Sequence, residues 1–217
     1  MHESSYNKFN HLKIHSQYSI CEGALKIDDL KDNAKRFKIK SLGLCDTSNL
    51  CGCIEFSEKI SKVGTQPIIG TQINFKFEDT IGLLPIFALN ENGYKKIIEL
   101  SSKSYLHNKD VSEPYLEIDE LMIINSGISL FSGTVFGLFG KLFEKGKLSE
   151  ISNLYKKLIT NFGDKFYLEI QRHNDQYEKS FEKFNLNQSN KLKIPIIATN
   201  EVFYLDKDMH EAHDALI

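Results

Sequence analysis

Arginine is nearly missing from this chain. Arg36 and Arg172 are its only two, and the other permanently cationic side chains are lysines. A forked, bidentate grip on phosphate, which favours the planar guanidinium, is therefore nearly absent. With the many Asn and Ile residues, the lysine bias points to AT-rich coding DNA rather than a physical demand. Net charge is also lacking: −2 over 217 residues of which 26% are charged, so no electrostatic footprint of a nucleic-acid binder is present. No run approaches the roughly 18 apolar residues of a membrane span. The opening MHESSYNKFN has no apolar core, which argues against a signal peptide. Cysteine is sparse, at Cys21, Cys45, Cys51 and Cys53. Cys51-Gly52-Cys53 is too tight for the C-x2-C zinc spacing and has no second pair, so free thiols in a reducing cytoplasm are expected. No internal repeat, low-complexity tract or linker stands out.

What is present suits one domain spanning 1–217: 41% of residues are hydrophobic, enough for a substantial core. Strand patterns fall at 11–14, 41–45, 67–75, 82–89, 127–131, 165–170 and 194–198. Helical patterns fall at 27–37, 53–63, 90–106, 117–124, 136–145, 148–161 and 175–190, and another starts near Asp208. In the first helix Ile27, Leu30, Ala34 and Phe37 share a face. Pro85 argues for an edge strand or an irregularity, and residues 107–116 read as a loop. Alternating strands and helices imply an α/β domain with a mainly parallel sheet. Six or seven short units fit a distorted, nearly closed (β/α)7-type, TIM-like barrel better than an open sheet. In such folds functional groups gather at strand ends, and His15, Asp46, Gln72, Thr134, His173 and Glu201 all read as lying at or just past one. The chain stops at His213-Asp214-Ala215-Leu216-Ile217 in a helical pattern without a cap, as a fragment of something longer would.

The first strand carries the strongest chemical signal. Successive strand residues face opposite ways, so His11, Lys13 and His15 share one side. Two imidazoles spaced H-x-H would make a metal pincer, but the jaw before His15 is a lysine, whose ammonium has only donors and repels a dication. HLKIHSQYSICEGALKIDDL at 11–30 resembles the opening of the PHP domain (polymerase and histidinol phosphatase) found at the N-terminus of bacterial DNA polymerase III alpha subunits. Ordered segments extend the resemblance: GLCDTSN at 43–49, GTQINF at 70–75, the 88–106 helix, LFSGT at 130–134, FYLEIQRHN at 166–174, IIATNEVFYL at 196–205 and DMHEAHDALI at 208–217.

Intact members of that family hold two or three divalent metals. By resemblance, His15, Asp46 and His173 match ligand positions, and Glu201 stands where Asp is usual. Lys13 and Thr47 replace His, Gln72 replaces Glu, Thr134 replaces Cys or an equivalent ligand, and Phe203 replaces the final His. These changes run one way. Gln72 loses charge, Thr47 and Thr134 are poor ligands, Phe203 cannot ligate, and Lys13 brings a cation to a metal's place. The expectation is a metal-free polar network in which Lys13 reaches Asp46 or Glu201; any surviving metal would fall to His15, Asp46 and His173. The resemblance implies a scaffold module of the replicase that binds the proofreading exonuclease subunit. Its other partners would be further replicase subunits, the rest of the polymerase chain and, through that chain, DNA, with no membrane and a cytoplasmic setting. Mg2+ would serve the polymerase site of the full-length chain, and no cofactor is expected in this module. The rival reading is an active metal-dependent phosphoesterase or 3′–5′ exonuclease. His107 reads as a solvated loop residue, His210 and His213 as i, i+3 helix neighbours with capping or surface-packing roles in preference to a metal pair, and Phe162, Phe166, Phe181 and Phe184 as core.

Overall fold

The computed structural model describes residues 9–107, 113–124 and 126–215. The chain divides into two compact units, residues 1–71 with 200–217 and residues 72–199.

In the first unit the short strand β1 (Lys13–Ile14) lies between β2 (Ser41–Thr47) and β9 (Glu201–Val202), parallel to both. Two helices serve this sheet. α1 (Ile27–Phe37) buries Ile27, Leu30 and Ala34, spaced for one helical face, and closes on Lys38 in the left-handed conformation (φ 52°). Phe37 departs from expectation: it is 43% exposed at the helix end, under the guanidinium of Arg36. α2 (Cys53–Ser61) buries Cys53, Phe56 and Ile60. β2 and the backbone leading into β1 meet closely because Gly43 has no side chain: a Cβ there would stand 2.4 Å from the carbonyl oxygen of Leu12. A short helix α8 (His210–Asp214) ends the unit after a single 3-10 turn at Lys207–Met209.

The strand β3 (Gln66–Phe77) runs through the boundary, and its second half belongs to the other unit. There β4 (Thr80–Ala88) follows a two-residue turn in which Glu78 takes φ 53°. The unit adds β5 (Leu116–Glu117) parallel to β3, β6 (Ile128–Phe131) antiparallel to β4, and β7 (Phe166–Ile170) and β8 (Ile196–Ala198) in parallel register. Its helices are α3 (Glu91–His107), α4 (Asp119–Ile123), α5 (Leu138–Glu144), α6 (Leu148–Phe162) and α7 (Glu178–Leu192). Phe162, Phe166 and Phe181 are buried as expected, with Tyr155 against Phe139 and Phe166 and Phe143 against Phe181, whereas Phe184, also expected in the core, is half-buried.

The α/β, parallel-dominated reading of the sequence holds. Several local expectations do not. Pro85 sits in an interior strand, between β3 and β6; the β6 ladder pairs Ile86 to Ala88, so the missing N–H falls at its margin and the irregularity is local. Position 107 ends α3 rather than opening a loop, and residues 108–112 of that expected loop, like the side chain of His107, lie outside the described residues. The strands β5 and β9 went unforeseen, since two residues are too few to leave a period-2 pattern.

Candidate vestigial metal centre

Lys13, His15, Asp46, Thr47, Glu201 and Phe203 belong to the first unit. β1 and β9 are in register with Lys13 opposite Glu201 and Ile14 opposite Val202, so the two charged side chains start side by side. The Lys13 ammonium forms an ion pair and hydrogen bond with Glu201 Oε1; its side chain is 2% exposed against 21% for Glu201. The sequence reading anticipated this counter-charge, at Asp46 or Glu201. It did not anticipate what holds Asp46. That carboxylate accepts from Ser16 N at 2.6 Å and Ser19 Oγ at 2.8 Å on one oxygen, and from Ser16 Oγ at 2.8 Å on the other. Burial pushes its pKa up, and these three donors work against that shift. Asp46 is also not past a strand end: β2 continues through it to Thr47. Thr47 donates to Glu22, whose own pKa burial raises, while its backbone N–H donates to Ser19 Oγ at 3.0 Å.

His15 is fully buried, and neither ring nitrogen has a hydrogen-bond partner among the described residues. Phe203 stacks on it with centroids 4.6 Å apart and planes 17° from parallel. Desolvation drives the His15 pKa down to about 4, with Glu201 opposing and Lys13 assisting, so the ring is neutral near pH 7. Its backbone N–H donates to Val202 O at 2.9 Å. Beyond it, His213 is buried, its Nε2 2.6 Å from Glu22 O, and its ring lies 5.9 Å from that of Phe203. His210 is exposed and 3.4 Å from Asp214.

Gln72, Thr134 and His173 belong to the second unit. Gln72 is buried in the middle of β3 rather than at its end, because β3 continues to Phe77 to take β5 as a partner. Thr134 Oγ1 accepts the Phe136 N–H at 3.3 Å, a turn-forming role. His173 is exposed just past β7, its Nε2 3.2 Å from Gln171 Oε1 and its backbone N–H donating to Glu178 Oε1 at 2.6 Å. Behind it Gln171 Nε2 donates to Thr199 Oγ1 at 2.8 Å and to the buried Glu169 at 3.2 Å, and Thr199 also donates to Glu169. Glu169 and Gln171 escaped the sequence reading; the signal was a carboxylate amid apolar strand residues in FYLEIQ. Ser16, Ser19 and Glu22 escaped it as residues with roles of their own, although the SQYS spacing right after the strand was a cue.

The donor set does not fit a metal cluster. Glu201 is occupied by an ammonium, three protein donors hold Asp46, and a phenyl ring covers the face of His15. Among the described residues no three His, Cys, Asp or Glu side chains are grouped so as to hold a metal ion. Cys53, nearby in sequence, has its thiol pKa pushed up to about 12 by burial and is no ready thiolate.

Comparison with known proteins accords with this frame. The PHP domain family model matches residues 11–173. DNA polymerase III subunit alpha of Caulobacter vibrioides is 33% identical, covering 100% of this chain and 20% of that protein. Its namesake from Buchnera aphidicola is 35% identical over 95% of this chain and 18% of that protein. The chain thus spans about a fifth of the length of these relatives and matches their N-terminal region. Among solved structures, one from Bifidobacterium adolescentis provisionally named a metal-dependent phosphoesterase superposes with a TM-score of 0.59 at 12% identity, covering 91% of this chain and 88% of that one. An amidohydrolase from Chromobacterium violaceum, solved with sulfate and no metal, gives 0.58 at 10% identity, covering 95% and 96%. At such identities these two show a shared fold alone. The chain belongs to the PHP domain family and is homologous to the N-terminal region of bacterial DNA polymerase III alpha subunits.

Proposed function

We propose that this chain is the single PHP domain of a bacterial replicative DNA polymerase alpha subunit, and that it works there without metal. The full-length protein would be the DNA-directed DNA polymerase, a nucleotidyltransferase of the cytoplasm using Mg2+ at carboxylates outside these residues. This domain would be structural, supporting the polymerase chain and holding the proofreading exonuclease subunit among other replicase subunits, with DNA met only through the whole protein. The observation that carries the metal-free reading is the Lys13–Glu201 ion pair, a buried ammonium on one of the carboxylates a metal would need.

The second reading, a phosphoesterase or 3′–5′ exonuclease, is favoured by the fold shared with a protein named a metal-dependent phosphoesterase. One experiment separates the two. The purified full-length protein is assayed for template-directed synthesis and for chelator-sensitive release of nucleotides from single-stranded ends, with its tightly bound Zn and Mn counted. Synthesis that survives Asp46→Ala, with no PHP-dependent hydrolysis and less than one metal in this domain, supports the proposal. Hydrolysis lost with EDTA and with Asp46→Ala overturns it.

A further inference from the structure

The segment after β8 is poorly held by backbone pairing. β9 is two residues long, and α8 is five, far short of a helix that stands alone. Yet the segment is bound to the start of the chain at one position after another. Lys13 Nζ meets Glu201. His15 N donates to Val202 O at 2.9 Å, and the His15 ring lies flat under Phe203. Ala24 N donates to Phe203 O at 2.8 Å. His213 reaches Glu22 O at 2.6 Å, with its ring 5.2 Å from that of Tyr204. The Lys13–Glu201 and His15–Phe203 ties both use positions that match metal-ligand positions of the family.

We infer that the former metal centre has become a metal-free clasp. The Lys13 ammonium and the His15–Phe203 stack do the mechanical work of a metal cross-link, fastening residues 201–213 to β1 and to the 15–25 loop. A metal joins ligands from distant parts of a chain at one point. Here a fixed cation on one strand and a phenyl ring on the other join the same two stretches through buried contacts. The Lys13–Glu201 pair is buried on one side only, so the pair keeps some solvation at Glu201 while the ammonium depends on its partner. The consequence is local. The clasp governs whether residues 201–213 stay docked, and β6 and β7 do not depend on it. The inference rests on the metal-free reading proposed above.

Hydrogen exchange read by mass spectrometry on the full-length protein tests it. In Lys13→Met, peptides covering 201–205 and 210–214 should exchange about tenfold faster or more, while peptides covering 166–170 keep the wild-type rate. Phe203→Leu keeps apolar volume but removes the stack and should loosen the same peptides, which keeps the test alive if Lys13→Met does not fold. Lys13→Met combined with Glu201→Gln should recover part of the protection, because no unpaired charge is left. EDTA should change nothing in the wild type. Wild-type exchange at 201–214 in both single variants, or equal loosening everywhere, overturns the clasp. Loosening of wild type by EDTA, with metal released, overturns the metal-free reading instead.

Discussion

At the scale of single residues, the carboxylates at positions matching the family's metal ligands are not left as stranded charges. Two carboxylates remain, and each has found donors of its own: Glu201 takes an ammonium, Asp46 takes two serines and a backbone N–H. Removing a donor should therefore cost stability rather than catalysis. Lys13→Ala should destabilise the domain by roughly 1–4 kcal/mol, the range for breaking part of a partly buried ionic cluster; a denaturant midpoint equal to wild type would contradict this. Lys13→His should not confer metal binding, since Thr47, Gln72 and Phe203 still offer no strong ligands; a metal count by elemental analysis checks it. His15 supplies a pH dependence. Its pKa is near 4 in the fold against an ordinary 6.5, so between those values the unfolded chain binds more protons than the folded one. That contribution is complete above about pH 6.5 and fades on acidification toward 4, by on the order of 3 kcal/mol in all. The raised carboxyls of Asp46 and Glu22 act in the opposite sense. Urea unfolding at pH 7 and pH 4.5 should show wild type losing more stability than His15→Phe, which keeps the ring contact without a titrating group.

At the scale of elements, β1 is the critical piece, and it is only two residues long. Its position depends on neighbours that leave it room. Gly43 N donates to His11 O at 2.7 Å, and a methyl group at Gly43 would meet the backbone of Leu12. Gly43→Ala should destabilise by roughly 1–3 kcal/mol through overpacking, whereas Gly64→Ala, with open space around it but φ at 80°, should cost only backbone strain. Thermal melts of the two variants compare the effects. Helices were the most legible elements: the spacing of Ile27, Leu30 and Ala34 marked α1 to the residue. Short strands were the least legible, because β5 and β9 are defined by the partner they lie against.

At the scale of the whole molecule, the described chain is about a fifth of its relatives, and no helix among its described residues is long and apolar enough to cross a membrane. On the function proposed above, full-length protein should show no chelator-sensitive hydrolysis attributable to this domain, and Asp46→Ala should leave template-directed synthesis within about twofold wherever the protein remains folded. A synthesis defect without unfolding would assign Asp46 a part in the polymerase step.

The sequence by itself determined the family, the α/β class and which side chains at these positions are able to ligate a metal. Those rest on residue identity and order: a lysine repels a dication and a phenylalanine cannot ligate, wherever they stand. Spacing, charge and the resemblance together even called for a carboxylate, Asp46 or Glu201, beside Lys13. Which carboxylate was a tertiary matter. Glu201 lies 188 positions away along the chain, and only the parallel register of β1 and β9 sets it opposite Lys13. The same holds for Asp46, which could have met Lys13 but is taken by Ser16 and Ser19 because the turn after β1 folds their donors over it. Hydrogen bonds act over about 3 Å, and a one-dimensional pattern carries no distances of that kind between strands.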